Sequence, residues 1–573
     1  MDGLITAMSQ VSPGHVKTYL AILRFLIPVL IGFLLYLCGK PLLTFRREPE
    51  IWAWLILPNG DKLPITHWEN IVGRNKRCDI VVDFPSVSRN HAVLTRYDDG
   101  SWTVTNISSK DSLLVNGESV KISALEPGDV ITIGGLDMRL EPISHIQEIR
   151  LTQLRTKAST PKQSALTLLL LTFIQMLMAL AFLLAGDPKN GLYIIEGFGG
   201  LFLCQWLLLV FYFFTKRTSF EVETIAFLLC SMGMSVICTV IPSETVKQLV
   251  AMIIGMVLFL CIGWSLRDLE RAKNIRYLAT VAGVGFLVLT MLFGTEFFGA
   301  KNWIMIGSLS MQLSELSKVC FVYVGASTMD RILQKRNLLL FIAYAAVICG
   351  CLAVMNDFGT ALIFFCAFLV IAYLRSGNVG LVGLAVASLV FAGVIVLKIA
   401  PHALRRFATW RHIWDDPLNT GYQQTQALMC IASGGLFGLG AGQGLAKYIF
   451  ASASDMVFAT VSEEWGMITA IMLASSVVIL VLFAVRSAAV GRSSFYTIGG
   501  CTAASILAMQ AILNALGSLD VLPLTGVTFP FMSNGGSGMI SVWGLLAFIK
   551  AADTRQNASF AVRIVKNGGE EDE

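Results

Sequence analysis

Long apolar runs constrain the fold of this chain more than any other feature of its sequence. Each run is near the ~20 residues that a helix needs to cross the hydrocarbon of a bilayer. The 573 residues are 55% hydrophobic and only 14% charged, whereas soluble domains carry about a quarter charged residues. We therefore predict a polytopic α-helical membrane protein with about 13 transmembrane helices, at 20–38, 166–184, 192–214, 222–241, 246–266, 278–294, 312–329, 338–355, 360–374, 379–397, 467–485, 496–516 and 539–549.

Lysine and arginine collect in alternate connectors between these runs. Because basic residues gather on the cytoplasmic side of membrane proteins, this pattern places the segment after the first run and the carboxyl terminus inside, and the 400–463 loop outside. The net charge of +5 lies mainly in these connectors and argues against nucleic-acid binding. The first run is long for a signal peptide and lacks an A-x-A site, so we interpret it as a retained anchor. The 12 cysteines are scattered without metal-ligand spacing.

The segment from 50 to 142 has a different composition, with short alternating runs broken by PNGD, DDG, VNGE and EPGD. These are strand and turn signals, and they predict a small all-β domain. Within it, GR at 73–74, SRNH at 88–91, NISS at 106–109 and VNG at 115–117 follow in an order that resembles the forkhead-associated (FHA) domain. That family is a β-sandwich that binds phosphothreonine peptides.

The FHA resemblance implies a phosphate pocket, in which charge-assisted hydrogen bonds supply the strong contacts. It assigns phosphopeptide binding to Arg74, Ser88, Arg89, Lys110 and Asn116, with His91 bracing the loop. Asp111 stands where the family usually has an amide, and a carboxylate near a phosphate weakens binding. A sandwich that binds proteins without reading phosphate is therefore the alternative.

The stretch from 410 to 466 is polar and rich in glycine. Irregular backbone among membrane spans is tolerated only where it meets water or lies inside protein, so we expect chemistry here. Asp455 is the only carboxylate between Asp416 and Glu463, and mostly apolar residues follow it. Desolvation would raise its pKa, which suits a general base. An aspartate before an apolar run is also a common helix cap, and the residues alone leave both interpretations open.

Three further charged residues lie at the predicted membrane edges. Glu315 and Lys318 are three residues apart on a predicted helix, and Asp357 lies between two spans. Charges at such positions need a partner or a function. An ion pair at a helix start and a helix cap are the structural alternatives.

Segments of the membrane part resemble, in order, signatures of the shape, elongation, division and sporulation (SEDS) family of peptidoglycan glycosyltransferases, FtsW, RodA and SpoVE. They are GAKNWI from 299, QLSELSK from 312, NDFGT from 356, GYQQTQ from 421, SDMVFA from 454, SEEWG from 462 and LPLTGVTFPFMSNGGS from 522. The resemblance implies a ten-helix core and an enzyme that polymerises lipid II into glycan strands. It makes Asp455 the catalytic residue and assigns substrate binding to Lys301, Trp303, Glu315, Lys318, Asp357, Gln426, Glu463, Ser533 and Gly535.

The two resemblances imply a domain order and a set of partners. We expect an anchor at 1–45, the FHA-like sandwich at 50–142, a basic linker at 143–163, two additional helices at 164–215, the SEDS-like domain at 220–552 and a cytoplasmic tail at 553–573. The implied location is the bacterial cell membrane. The implied partners are a class B penicillin-binding protein (a transpeptidase) and a phosphothreonine protein or Ser/Thr kinase substrate. No metal site built from protein alone is expected, and a divalent cation, Mg²⁺ or Mn²⁺, would be shared with the substrate pyrophosphate.

Two other functions stay open at this point. Buried charges and broken helices also suit a flippase for lipid-linked precursors, and an FHA domain fused to an inactive membrane domain would be a signalling scaffold. A transporter places its ionisable groups near the bilayer midplane, whereas Asp455, Glu463, Asp357 and Lys301 are predicted at the external edge. The sequence does not separate elongation, division and sporulation.

Overall fold

The structure is a computed structural model. It describes residues 12–44, 51–76, 78–97, 100–108, 112–144, 146–147, 150, 162–215, 217, 219–267, 269–297, 299–307, 309–327, 335–376, 379–399, 401–491 and 493–553. Lys110 and Asp111, most of the 143–163 linker and the tail after 553 lie outside these ranges.

The described part of the amino-terminal domain is a sandwich of two sheets. Its strands are β1 Ala53–Ile56, β2 Lys62–Ile65, β3 Glu69–Gly73, β4 Ile80–Val81, β5 Ala92–Arg96, β6 Trp102–Asn106, β7 Leu113–Val115, β8 Glu118–Val120, β9 Ile122–Leu125, β10 Val130–Ile133 and β11 Leu136–Pro142. One sheet has the order β2-β1-β11-β10-β7-β8, and the other β4-β3-β5-β6-β9. Alternate side chains such as Leu55, Val104 and Ile131 are buried between the sheets, as expected for a β-sandwich.

Helices make up most of the rest of the chain. They are α1 Pro13–Leu43, α2 Lys162–Ala185, α3 Gly191–Phe214, α4 Glu221–Val240, α5 Thr245–Ser265, α6 Leu269–Phe293, α7 Leu313–Ser327, α8 Lys335–Val354, α9 Phe358–Ser376, α10 Val379–Ile399, α11 Pro401–Thr409, α12 Tyr422–Gly434, α13 Val457–Ala489, α14 Ser494–Ser518 and α15 Gly536–Ala551. A small sheet of β12 Thr295–Phe297, β13 Ala300–Ile306 and β14 Leu309–Met311 lies between α6 and α7.

Each predicted apolar run coincides with a helix. Within the described ranges, nine helices are long and apolar enough to cross a membrane, and α10 with α11 forms a bent pair that passes the same test. Helices α8 and α15 are apolar over shorter lengths, and α7 has 15 residues and carries two charges. The predicted fold class, a polytopic helical membrane domain with a separate β-sandwich, is confirmed.

A buried amide network joins the two additional helices to the membrane core. Gln175 on α2 and Gln205 on α3 exchange side-chain hydrogen bonds of 3.0 and 2.9 Å. Gln175 also donates to Ser231 on α4 at 2.8 Å, and Gln205 donates to Thr172 at 2.9 Å. Polar side chains inside a bilayer bond across helices in this way because water is absent. The additional helices are therefore packed onto the core as part of one bundle.

Helix α1 packs directly on α13. A Cβ added at Gly32 would lie 3.4 Å from the Met472 side chain, and one at Gly39 would lie 3.4 Å from Ile479. Small residues allow helices to approach closely in membranes. The anchor therefore lies against the helix that follows Asp455.

A buried ion pair joins the end of α15 to the start of α4. The Lys550 Nζ lies 3.1 Å from a Glu223 oxygen and donates to the Ser219 carbonyl at 2.7 Å. The Tyr212 hydroxyl donates to the other Glu223 oxygen at 2.8 Å. Both charged side chains are 0% exposed. Helices α3, α4 and α15 thus meet at one neutralised charge pair.

Candidate active site around Asp455

Asp455 lies in the turn that leads into α13, and the side chain of Asn514 bonds to its main chain. The Asn514 Nδ2 on α14 donates to the Asp455 carbonyl at 3.0 Å and to the Val527 carbonyl at 2.8 Å. Asn514 is buried in the bundle. Asn514 therefore links the turn that carries Asp455 to the segment before α15, and the Asn534 N–H, which donates to the Ala453 carbonyl at 2.7 Å, adds a main-chain link to that segment.

The Asp455 carboxylate lies against the main chain of residues 525–527. A Cβ added at Gly526 would lie 3.4 Å from the Asp455 Oδ2, and Gly526 has a φ of 68°, which favours glycine. The Arg406 guanidinium donates to the Thr525 carbonyl at 3.2 Å. The Thr525 hydroxyl is buried without a hydrogen-bond partner among the described residues. A cation thus lies near the carboxylate, and the segment behind the carboxylate carries an unused buried hydroxyl.

The environment of Asp455 makes it a stronger base than an ordinary aspartate. Desolvation raises its pKa to about 6, against the opposing effects of the Arg406 charge and a hydrogen bond from Ser454. A carboxyl group with this pKa is mostly ionised at neutral pH and still accepts a proton readily. These are the properties of a general base.

Ser533 and Gly535 belong to the wall around this turn. The Ser533 hydroxyl donates to the Ser454 carbonyl at 2.7 Å and accepts from the Phe529 N–H at 2.8 Å. The Gln248 side chain donates to the Ser533 carbonyl and accepts from the Gly535 N–H, both at 3.2 Å. The structure therefore brings these two predicted residues to Asp455 and adds Gln248, which the sequence analysis did not identify.

A second polar cluster contains three more of the predicted residues. Glu315 and Lys318 form a buried ion pair of 2.6 Å, and the second Glu315 oxygen accepts from Ser541 at 2.9 Å. Asp357 caps α9 by accepting from the Thr360 N–H at 3.0 Å. Burial raises the pKa of Asp357 above its usual range. The ion pair and the helix cap considered from the sequence are both present.

Asn302 links this second cluster to the small sheet. Its side chain donates to Asp357 and accepts from the Ser314 hydroxyl. A Cβ added at Gly359 would lie 3.0 Å from the Thr525 carbonyl. The start of α9 therefore packs on the same 525–527 segment that backs Asp455, so the two polar clusters share one wall.

Four predicted residues have other contacts. The Lys301 Nζ donates to the Met291 carbonyl at 2.7 Å, at the end of α6, and Trp303 is half-buried on β13. Gln426 is half-buried on α12. The Glu463 carboxylate accepts from the Ala446 N–H at 2.7 Å and from Ser433 at 3.3 Å, so it holds the glycine-rich loop. Within the described ranges, no group of three His, Cys, Asp or Glu residues could hold a metal ion.

Three of the predicted phosphopeptide residues, Arg74, Ser88 and Arg89, lie in two neighbouring loops, since the Arg74 N–H donates to the Ser88 carbonyl at 3.0 Å. Arg74 and Arg89 are exposed, and the Ser88 hydroxyl lies 3.0 Å from that of Ser108. His91 is fully buried and accepts from the Ser88 N–H at 3.2 Å. Asn116 lies apart from these loops, in the turn between β7 and β8, and its side chain donates to Asp129, just before β10, at 2.9 Å. Two guanidinium groups and two hydroxyls thus present the donors that a phosphate requires.

Comparisons with known proteins agree with these features. A family model for cell cycle proteins of the FtsW, RodA and SpoVE type matches residues 224–558, more than half of the chain, and an FHA domain model matches residues 70–134. The peptidoglycan glycosyltransferase RodA of Mycobacterium tuberculosis is 29% identical over 324 residues, which are 53% of this chain and 69% of that protein. The probable peptidoglycan glycosyltransferase FtsW of Alkalilimnicola ehrlichii is 31% identical over 288 residues, which are 47% and 70% of the two chains.

A solved structure of a peptidoglycan synthase complex also aligns with this chain, at 23% identity and a TM-score of 0.49, over 58% of this chain and 96% of its own. From the family model and the curated relatives, the chain belongs to the FtsW/RodA/SpoVE family of cell cycle proteins and carries an FHA domain at its amino-terminal side.

Proposed function

We propose that this protein is a peptidoglycan glycosyltransferase that polymerises lipid II into glycan strands. The observation that carries the proposal is the half-buried Asp455 carboxylate, whose pKa is raised to about 6 and which lies near Arg406 and against the main chain of Gly526. The relatives named above are peptidoglycan glycosyltransferases, and the family segment includes the whole site.

The reaction joins two lipid-linked disaccharides. The Asp455 carboxylate takes the proton of the acceptor C4 hydroxyl, and the oxygen attacks the anomeric carbon of the donor. The bond from that carbon to the undecaprenyl pyrophosphate breaks, and the pyrophosphate leaves with the bonding electrons. Arg406, next to Asp455, supplies a positive charge for the leaving group.

A divalent cation is part of the proposal. The described residues offer no cluster of three ligands, but Mg²⁺ and Mn²⁺ commonly bind one or two carboxylates together with phosphate oxygens. The carboxylate oxygens of Glu315 and Asp357 already accept hydrogen bonds from neighbouring side chains and main chain, so the pyrophosphate oxygens would supply most of the ligands. When bound, the cation would neutralise charge on the pyrophosphate.

Sidedness and partners complete the proposal. The alternating lysine and arginine content of the connectors supports a cytoplasmic FHA domain and carboxyl terminus and an external 400–463 loop. The expected partners are a class B penicillin-binding protein for cross-linking and a phosphothreonine protein for the FHA domain.

The proposed function is tested with purified full-length protein, lipid II and Mg²⁺ or Mn²⁺ in detergent and in vesicles. The expected product is a ladder of glycan strands. Transfer of lipid II across the vesicle membrane without polymer would instead establish the flippase alternative. The absence of both polymerisation and transfer would favour the signalling scaffold.

The rate of polymerisation should depend on pH through Asp455. Since the base acts in its ionised form, protonation below a pKa of about 6 removes it. We expect the rate at saturating substrate to fall about tenfold per pH unit below pH 6 and to level off above pH 7. A rate that is flat from pH 5 to 7 would contradict the assignment, provided that circular dichroism shows the protein folded throughout.

Phosphopeptide binding by the FHA domain should depend on Arg74. Charge-assisted hydrogen bonds are worth about 1.5–3 kcal/mol, so Arg74→Ala should weaken binding roughly tenfold to hundredfold. The measurement is fluorescence anisotropy with a degenerate phosphothreonine peptide library, with the unphosphorylated library as reference. Arg139→Ala, at an exposed position of β11 on the other sheet, is the matched control. If Arg74→Ala and Arg139→Ala bind the phosphothreonine peptides with equal affinity, the alternative is supported, namely a sandwich that binds proteins without recognising phosphate.

A further inference from the structure

The β-sandwich contacts the membrane domain at the turn between α13 and α14. The two carboxylate oxygens of Glu69 accept hydrogen bonds from the Ser493 hydroxyl at 2.9 Å and from the Ser494 N–H at 3.0 Å. The His67 Nδ1 lies 2.7 Å from the Gly491 carbonyl. We call this set of contacts the α14 dock. Glu69 caps the first turn of α14, where free N–H groups and the helix dipole favour a negative charge.

The sandwich side of the α14 dock is built on a sheet. Glu69 begins β3 and is paired with Thr95 on β5. The Asn70 side chain donates to the His67 carbonyl at 2.6 Å, and the Trp68 carbonyl accepts from the Arg96 N–H at 2.7 Å. Residues tied into a sheet keep their geometry better than residues of a free loop. The dock is therefore a fixed surface of the sandwich.

The same strand leads to the phosphopeptide residues. Strand β3 ends at Gly73, so Arg74 lies five residues after Glu69, about 16 Å away at the rise of a strand. Glu69 is half-buried in the α14 dock, whereas Arg74 and Arg89 remain exposed. A phosphorylated partner could therefore bind without releasing the dock.

On the membrane side, α14 joins the dock to the active site. The helix has 25 residues and is about 37 Å long. Ser494 at its start contacts Glu69, and Asn514 near its end holds the Asp455 carbonyl. The FHA domain and the candidate base thus contact opposite ends of one continuous helix.

We propose that the FHA domain is a brace docked on α14 through Glu69 and His67, and that this docked state holds Asn514, and through it Asp455, in the working position. The coupling half of the proposal rests on the proposed function. Glu69 is a positioning residue here, because it acts on Asp455 only through α14.

The test compares full-length wild type, Glu69→Lys and Glu126→Lys. A lysine at position 69 places a positive charge at the start of α14, where the dipole disfavours it. Glu126 is exposed in a turn of the same sandwich, so Glu126→Lys makes the same charge change away from the dock. His67→Ala, which removes one contact without adding charge, serves as a second variant.

Two quantities are measured for each variant. Hydrogen–deuterium exchange of the amides at 493–498 should be at least about fivefold faster in Glu69→Lys than in wild type, because a helix cap is lost. The polymerisation rate should fall roughly tenfold, since small displacements of a catalytic group have large effects. Glu126→Lys should match wild type in both, and His67→Ala should change both in the same direction by less.

Exchange at 493–498 that is the same in Glu69→Lys, His67→Ala and wild type would overturn the dock. If exchange at 493–498 is faster in Glu69→Lys but its polymerisation rate equals that of wild type, the coupling between the α14 dock and Asp455 is overturned. If wild type forms no polymer, the proposed function fails, yet the exchange comparison still decides whether the dock exists.

Discussion

Asp455→Asn should reduce polymerisation of lipid II by at least about 100-fold, because a positioned general base contributes about 10²–10⁴-fold to a rate. Asparagine keeps the size of the side chain but cannot take the proton of the acceptor hydroxyl. The hydrogen bond from Asn514 goes to the Asp455 main chain, so the turn should keep its shape. The measurement is the initial rate of glycan formation by purified protein.

The matched control for this prediction is Asp415→Asn. Asp415 lies in the same 400–463 loop and its side chain is 77% exposed. Its carboxylate lies 3.1 Å from the ring of His412, which is also exposed. We expect it to polymerise at the wild-type rate. If Asp455→Asn keeps more than a tenth of that rate while Asp415→Asn is normal, Asp455 is not the base.

Lys550→Met should destabilise the membrane domain by about 3–5 kcal/mol, because removal of one partner leaves the other charge buried without compensation. The remaining carboxylate, Glu223, is 0% exposed and would lose its ion pair while keeping the hydrogen bond from Tyr212. Thermal unfolding in detergent measures the effect. The double variant Glu223→Gln with Lys550→Met removes both charges and should recover most of the lost stability.

The exposed pair Lys62 and Glu141 provides the control for this second prediction. Its nitrogen–oxygen distance is 2.9 Å, but both side chains are more than half exposed. Lys62→Met should therefore change stability by no more than about 1 kcal/mol. A Lys550→Met protein as stable as Lys62→Met would show that the buried pair contributes little to the bundle.

Hydropathy was enough to locate the membrane helices, because an apolar run of bilayer length buries its own backbone hydrogen bonds only as a helix. The boundary before Met467 was wrong. Helix α13 begins at Val457, and Gly466, with φ 87° and ψ 160°, interrupts it. A Cβ at Gly466 would lie 2.3 Å from the Leu436 carbonyl. The glycine-rich loop packs there, and no local pattern encodes that contact.

The small sheet at 295–311 was also not predicted. The apolar runs leave these residues as a connector that contains the GAKNWI segment, whereas three strands form there. Strands β12 and β14 have three residues each, and the seven residues of β13, AKNWIMI, do not alternate between apolar and polar, so the period-2 signal of a strand is missing. Strand β13 places Asn302 beside Asp357, which no feature of the sequence indicates.

In the site, the charged residues were predictable and the groups that hold them were not. A carboxylate at the end of an apolar run stands out in a sequence because it is costly there. Asn514 and Gln248 contact main-chain atoms that are 59 and 285 residues away, and any residue type supplies such atoms. The one available signal was an amide side chain within an apolar helix, which also needs a partner in lipid.

The α14 dock has a consequence for how this two-part protein could have arisen. Of its three contacts described above, two use the peptide groups of Gly491 and Ser494, which every polypeptide carries. A membrane domain without an FHA domain would therefore offer these two contacts wherever its turn has the same backbone shape as residues 491–494. Fusion of the sandwich to such a membrane domain would have required new side chains almost entirely on the FHA domain. Fusing residues 1–163 to a relative without an FHA domain would repeat that step experimentally.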